Sequence, residues 1–203
     1  MSSDVMNFLS PERLWRRADV LSRPSPVPAV PGAYGWWFDR LPARIDISGC
    51  RQVDGLTLLY TGISPKEPPR NGRPASRGQL RQRIATHYAG NAEGSTLRKT
   101  LGCLLAEELG IQLRRVGSGS RRTFVNGEHQ LSQWMAEHAY VSFIAHERPW
   151  ELERRLIEEL DLPLNLDGNS RNAFHSVLTR IRKEAVATAN ALPVAPNPGT
   201  GGG

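Results

Sequence analysis

The chain has 203 residues, which bounds it to one domain with extended ends or two very small domains. With 39% hydrophobic residues it can bury a core, so disorder throughout is excluded. Only Cys50 and Cys103 occur, which excludes a disulfide scaffold and a four-cysteine zinc site, while a net charge of +6 points to a polyanionic partner.

The opening MSSDVMNFLSPERLWRR has no apolar core of a signal peptide, and no stretch reaches membrane-spanning length, so a reduced, cytoplasmic protein is expected. Residues 1–30 read as a partly flexible extension. SPERLWRRADVL predicts a short helix capped by Ser10 with Pro11 at its first position, and the prolines of SRPSPVPAVPG then end it. GAYGWWF and LTLLYTGI, rich in aromatic and β-branched residues, predict strands. RGQLRQRIATHYAG predicts a helix with Leu80, Ile84 and Tyr88 on one face, and GSTLRKTLGCLLAEELG a second, capped by Ser95 and stopped by Gly110. IQLRRVGSGSRRTFV predicts a hairpin around Gly117 and Gly119. A helix (EHQLSQWMAEH), a strand (AYVSFIAH), a helix opened by Pro149 (PWELERRLIEEL) and a last helix (NAFHSVLTRIRKEAV) follow. The tail 189–203, proline- and glycine-rich from Pro193, is expected to be disordered. This order predicts a small α/β or α+β domain with helices against a sheet.

The charge is unevenly spread. From Arg70 to Arg122 there are 11 basic and three acidic residues, a local +8 against −2 for the rest. Arginine dominates, and its planar fork matches phosphate. Ser95, Arg98 and Lys99 at a helix start, with Arg114, Arg115, Arg121 and Arg122 on the hairpin, form a candidate nucleic-acid-tracking surface that would hold the backbone without reading bases. No helix-turn-helix, zinc finger or aromatic RNA-binding motif is present.

Several residues can carry chemistry. Glu153 sits at the edge of an apolar helix face, where a carboxylate can bind a hard cation such as Mg²⁺, or where it is one acid among Glu151, Glu158 and Glu159. Arg83 can steady a phosphate or be a solvated arginine like Arg81. Tyr34 and Tyr60 each stand in a strand near a glycine. A phenol is a weak base near neutral pH unless a metal or an arginine favours its ionised form, and either ring can instead pack in the sheet. His87, one turn after Arg83, can relay a proton or serve the fold. Asn165 or Asn169 can fix a loop.

Gly32-Ala33-Tyr34 and Tyr60-Thr61-Gly62 resemble the signature tripeptides of the GIY-YIG nuclease family. LRQRIATHY resembles that family's first core helix, and LERRLIEELDLPLN its acidic helix with a Pro-x-Asn end. The resemblance implies a three-stranded mixed sheet flanked by helices over residues 31–188, here elaborated with an inserted helix and hairpin. It selects Arg83 as the phosphate-binding arginine, Glu153 as the metal ligand and Asn165 as a support. It gives Tyr34 the role of general base and His87 a place beside it, while Tyr60 would orient the phosphate or water by hydrogen bonding. It implies one Mg²⁺ or Mn²⁺ and a DNA substrate, with RNA left open. The two tyrosines lie 26 residues apart, so 39–55 reads as an insertion or an extra strand around ARIDIS, and 63–78 and 92–138 as further insertions. Gly32 and Gly62 are expected where the backbone closely approaches substrate. The alternatives are a nucleic-acid-binding module without turnover, and a scaffold domain using its proline segments.

Overall fold

Every residue of GAYGWWF is buried, the mark of a central strand covered on both faces. The computed structural model describes residues 3–69 and 76–197. In chain order its elements are α1 (Ser3–Leu9), α2 (Arg17–Val20), β1 (Gly32–Phe38), β2 (Gln52–Val53), β3 (Leu56–Ser64), α3 (Leu80–Ala89), α4 (Thr96–Leu104), α5 (Ala106–Leu109), β4 (Arg114–Val116), β5 (Arg121–Thr123), α6 (Gly127–His138), β6 (Ala139–Ala145), α7 (Pro149–Glu159) and α8 (His175–Ala191).

The main sheet has the order β2-β3-β1-β6, and β4-β5 form a separate hairpin. The expected fold class holds: helices flank a small sheet. Its three long strands are joined by the two-residue β2, and all pairings are antiparallel rather than mixed. The 39–55 segment makes no strand around ARIDIS. It supplies β2 instead, turned into β3 by Asp54 and Gly55, which both have positive φ, the geometry an Asp-Gly hairpin turn requires.

Trp36 and Trp37 show how period-two alternation builds two cores. Trp36 joins Tyr88, Leu97, Leu101 and Met135 on the face covered by α3, α4 and α6. Trp37 joins Phe8, Leu58, Leu152 and Leu156 on the face covered by α1 and α7. Between these tryptophans the β1–β3 register shifts. Trp36 faces Tyr60 while Trp37 faces Leu58, so Leu59 is the extra residue of a bulge, its side chain fully buried and its carbonyl accepting the Leu164 N–H at 3.0 Å. The loop after α7 is thereby tied to β3.

Three expectations change. The N-terminal segment is not loose within the described residues. Val5, Phe8 and Leu9 of α1 are buried, and Trp15 exchanges both backbone bonds with Val141 at 2.9 Å. That pairing extends the sheet edge and prevents the helix expected to begin at Pro11. The long helix from Ser95 to Gly110 breaks at Leu105 into α4 and α5, although Ser95 caps it and left-handed Gly110 ends it as expected. The tail is ordered further than expected. Residue 189 lies inside α8, and Ala195 pairs in parallel with Val116. The tail's last residues, 198–203, the centre of the 63–78 segment, 70–75, and residues 1–2 of the extension lie outside the described residues.

Candidate active site

β2 covers only the start of β3, so the far end of β3 has a free edge. A cleft of about 560 Å³ wraps around it. Tyr34 from β1, Tyr60 and Gly62 from β3, Arg83 from α3, Glu153 from α7 and Asn165 from the following loop all line it.

The two tyrosines are brought together by register. Tyr34 pairs with Gly62 and Trp36 with Tyr60, so the phenols are diagonal neighbours on one face of the sheet. Their rings are packed in the cleft wall, with Tyr34 1% and Tyr60 8% exposed. A Cβ on Gly62 would stand 2.5 Å from the Tyr34 hydroxyl and 2.7 Å from its ring carbon Cζ. Gly32 is closed off by the Ile144 carbonyl, 2.2 Å from a hypothetical Cβ. The expectation that these glycines admit substrate is corrected: they admit the chain's own neighbours. Gly62→Ala is therefore expected to push the Tyr34 phenol out of line. Catalytic turnover in the cleft should fall at least 100-fold, because an ångström of misplacement is that costly, with much smaller loss of thermal stability. A turnover assay beside a melting curve checks both.

Polar contacts hold the Tyr34 hydroxyl. Arg83 Nε donates to it at 3.3 Å, and His87 Nε2 lies 2.7 Å away. Arg83 is itself pinned by Nη1 donating to the Gly94 carbonyl at 2.9 Å. His87 does not face the cleft. It is fully buried behind Tyr34, its Nδ1 2.6 Å from Ser95 Oγ. Burial first, then the charges of Arg83 and Arg98, push His87 well below the usual histidine range, so the ring is neutral. Burial pushes Tyr34 up to about 12 against the opposing pull of Arg83, and burial likewise raises Tyr60.

Asn165 spends its amide on the sheet: Oδ1 accepts from Thr61 N–H and Nδ2 donates to the Thr61 carbonyl, both at 2.9 Å. It clamps the free edge of β3 beside Tyr60. Asn169 is buried elsewhere in the same loop, donating to the Leu162 and Asn165 carbonyls.

Glu153 is half-buried. Burial pushes its carboxyl up to about 7; Lys66 and Arg83 oppose that rise and Asp167 adds to it. Among the described residues no group of three or more histidines, cysteines or acids is arranged to hold a metal ion. The donor set at Glu153 is hard oxygen and incomplete. It fits a Mg²⁺-like cation that takes its remaining ligands from water and phosphate.

The expected nucleic-acid surface is corrected at Arg98 and Ser95, which are buried. Arg98 is 0% exposed, with Nη2 at 2.7 Å from Glu128 Oε2 and further bonds to the His87 and Tyr88 carbonyls. Ser95 is also fully buried, accepting the Arg98 N–H as a helix cap. On the hairpin, Arg114 donates to the Pro193 carbonyl, Arg115 to those of Ala189 and Leu192, and Arg122 to Asn190 Oδ1. Arg115 thereby satisfies the carbonyl end of α8, where the helix dipole favours a cation, while Arg114 holds the chain just beyond it and Arg122 a side-chain amide. Lys99 is half-buried, and Arg121 is exposed. Arg98→Ala empties a fully buried site and leaves the half-buried Glu128 without its charge partner, so a loss of about 3–5 kcal/mol is expected in denaturant unfolding.

Sequence reasoning missed Lys66, Arg154, Asp167 and Arg182, all of which line the cleft. Asp167 stands two residues after Asn165, so the anchored loop was its available signal. Arg182 arrives from α8 and had none.

The domain is thus a mixed α/β unit whose curled antiparallel sheet carries one polar cleft at its edge. A family model described as the GIY-YIG catalytic domain matches residues 32–184, and the chain belongs to that nuclease family. No curated protein and no solved structure matches it. Among the described residues no helix is long and apolar enough to cross a membrane.

Proposed function

We propose that this chain is a divalent-metal-dependent endonuclease that hydrolyses DNA phosphodiester bonds. The observation that carries the reading is the convergence of Tyr34, Tyr60, Arg83 and Glu153 on one cleft from two strands and two helices. Glu153 would hold Mg²⁺ or Mn²⁺, with Asp167 near enough to add negative field. The bound cation would withdraw charge from the phosphate and from the leaving oxygen.

Arg83, fixed by Gly94 and Tyr34, presents its remaining donors to the phosphate. Tyr34 takes the proton of the attacking water. Its own phenolic proton passes to His87 Nε2, which accepts it when the imidazole carries its resting proton on Nδ1, donated to Ser95 Oγ. Burial, the larger cause of the low basicity of His87, is unchanged by substrate, but the arriving phosphate offsets the Arg83 charge that adds to it, so the imidazole gains some basicity when substrate is bound. His87 and Asn165 are positioning residues, one behind Tyr34 and the other behind Tyr60. Tyr60 orients the phosphate or the water.

The test is a cleavage panel of supercoiled, linear and single-stranded DNA, with an RNA arm, in Mg²⁺, Mn²⁺ or EDTA. Cutting of DNA that stops in EDTA is expected. Salt-dependent binding without cutting in any divalent ion would replace the enzyme with a binding module.

A further inference from the structure

A second, open groove of about 430 Å³ lies beside the cleft and shares Leu166 and Arg182 with it. Its wall is one face of α8: Thr179, Lys183, Val186 and Ala187 recur at helical spacing, with Asn190 at the far end. The floor is apolar and the rim cationic, and no carboxylate is among the lining residues.

Arg182 sits at the junction. Its Nη1 donates to Thr100 Oγ1 at 3.2 Å, which fixes the guanidinium between the two cavities, and that is its one hydrogen bond among the described residues. The far end of α8 is also braced. Arg115 holds the Ala189 and Leu192 carbonyls, and Arg122 donates to Asn190 Oδ1 at 2.9 Å. The wall is pre-organised rather than formed on binding.

The outside of a duplex offers phosphates, and a concave apolar floor has no use for them. A nucleotide taken out of the stack offers an apolar base face and a phosphate together, which matches this floor and rim. We propose that the groove is a nucleotide subsite: it seats the unpaired base adjoining the scissile phosphate, while Arg182 holds the phosphate between the two cavities. The proposal rests on the nuclease reading and adds a preference to it. Unpaired or frayed strands bind better than continuous duplex.

The probe is an oligonucleotide carrying 2-aminopurine at successive positions, single-stranded or fully paired, titrated with wild-type protein in EDTA. A fluorescence change confined to one or two adjacent positions of the unpaired strand is expected. Ala187→Trp fills the floor and Lys183→Glu puts a carboxylate on the rim. Both positions are exposed, so folding is not at risk. Each variant should weaken single-strand binding about tenfold or more, the worth of one seated base, and change duplex binding less than twofold. Equal binding of paired and unpaired DNA by the wild type, or unchanged single-strand binding by both variants, would overturn the subsite. Because this readout needs no cutting, it separates the subsite from the enzyme. A 2-aminopurine response in a protein that never cleaves sinks the nuclease reading and supports the groove.

Discussion

Glu153→Gln is expected to abolish Mg²⁺-dependent cleavage, by about 10³-fold or more, and to make the metal-free protein more stable. Both effects have one source. The side chain is half-buried, and its carboxyl is pushed up to about 7, chiefly by burial. In the unfolded chain the same group titrates near 4.5. The unfolded state therefore releases its proton first, and this group's contribution to folding declines as pH rises from about 4.5 to about 7. At pH 8 the folded, metal-free protein carries the full cost, on the order of 3 kcal/mol. Glutamine keeps the shape and removes that charge, so a melting temperature higher by several degrees at pH 8, with no gain at pH 4, is the signature. Activity runs the opposite way. A cation needs the ionised carboxylate, so log rate in subsaturating Mg²⁺ should climb with unit slope below about pH 7 and flatten above it. A variant that still cuts DNA at near wild-type rate removes Glu153 from the mechanism. One that loses activity and also melts lower at pH 8 removes the electrostatic account.

The sequence carried the local signals and missed those that depend on depth. Tyr34 and Gly62 are legible as halves of two tripeptides, yet only the strand register shows that the phenol lies across the glycine. Ser95 was readable as a helix cap because capping is a local bond, four residues at most from its partner. Its other bond, to His87, joins two helices and has no signature in composition. Arg83 and Arg98 look alike in the chain, each near the polar start of a helix. One lines the cleft and the other is sealed against Glu128, and only burial separates them. The +8 stretch counts Arg98, which is sealed inside, for the same reason. Charge counts carry no information about which guanidinium groups are already spent on carbonyls, and Arg114 and Arg115 are spent on the end of α8 and the chain beyond it. Arg182 was hidden because it lies in α8, well beyond the end of the acidic helix at Glu159, where no motif points back to the cleft.

Tyr34→Phe tests the proton path with the smallest structural change. The ring remains over Gly62, and Arg83 keeps its bond to the Gly94 carbonyl, so the phosphate-binding wall survives. What disappears is the oxygen between the cleft and His87 Nε2, 2.7 Å behind it, which also accepts the Arg83 Nε–H at 3.3 Å. General-base assistance is worth about 10²–10⁴-fold, and a loss of that size in single-turnover cleavage is expected. DNA binding in EDTA and Mn²⁺ binding should change less than threefold, because the bond to the Gly94 carbonyl still holds Arg83 and the proposed cation ligand, Glu153, does not use the hydroxyl. The loss should also be insensitive to pH between 6 and 9, since burial already keeps the wild-type phenol protonated there, with its pKa pushed up to about 12. Tyr60→Phe is the matched control. That phenol is buried and raised in the same way but makes no bond to His87 among the described residues, and it should cost less than Tyr34→Phe. If the two variants fall equally, the hydroxyls act together on the phosphate and the His87 path is wrong. If Tyr34→Phe stays within tenfold of wild type, water reaches the phosphorus without help from this residue, and the base must be sought among the other groups on the cleft wall.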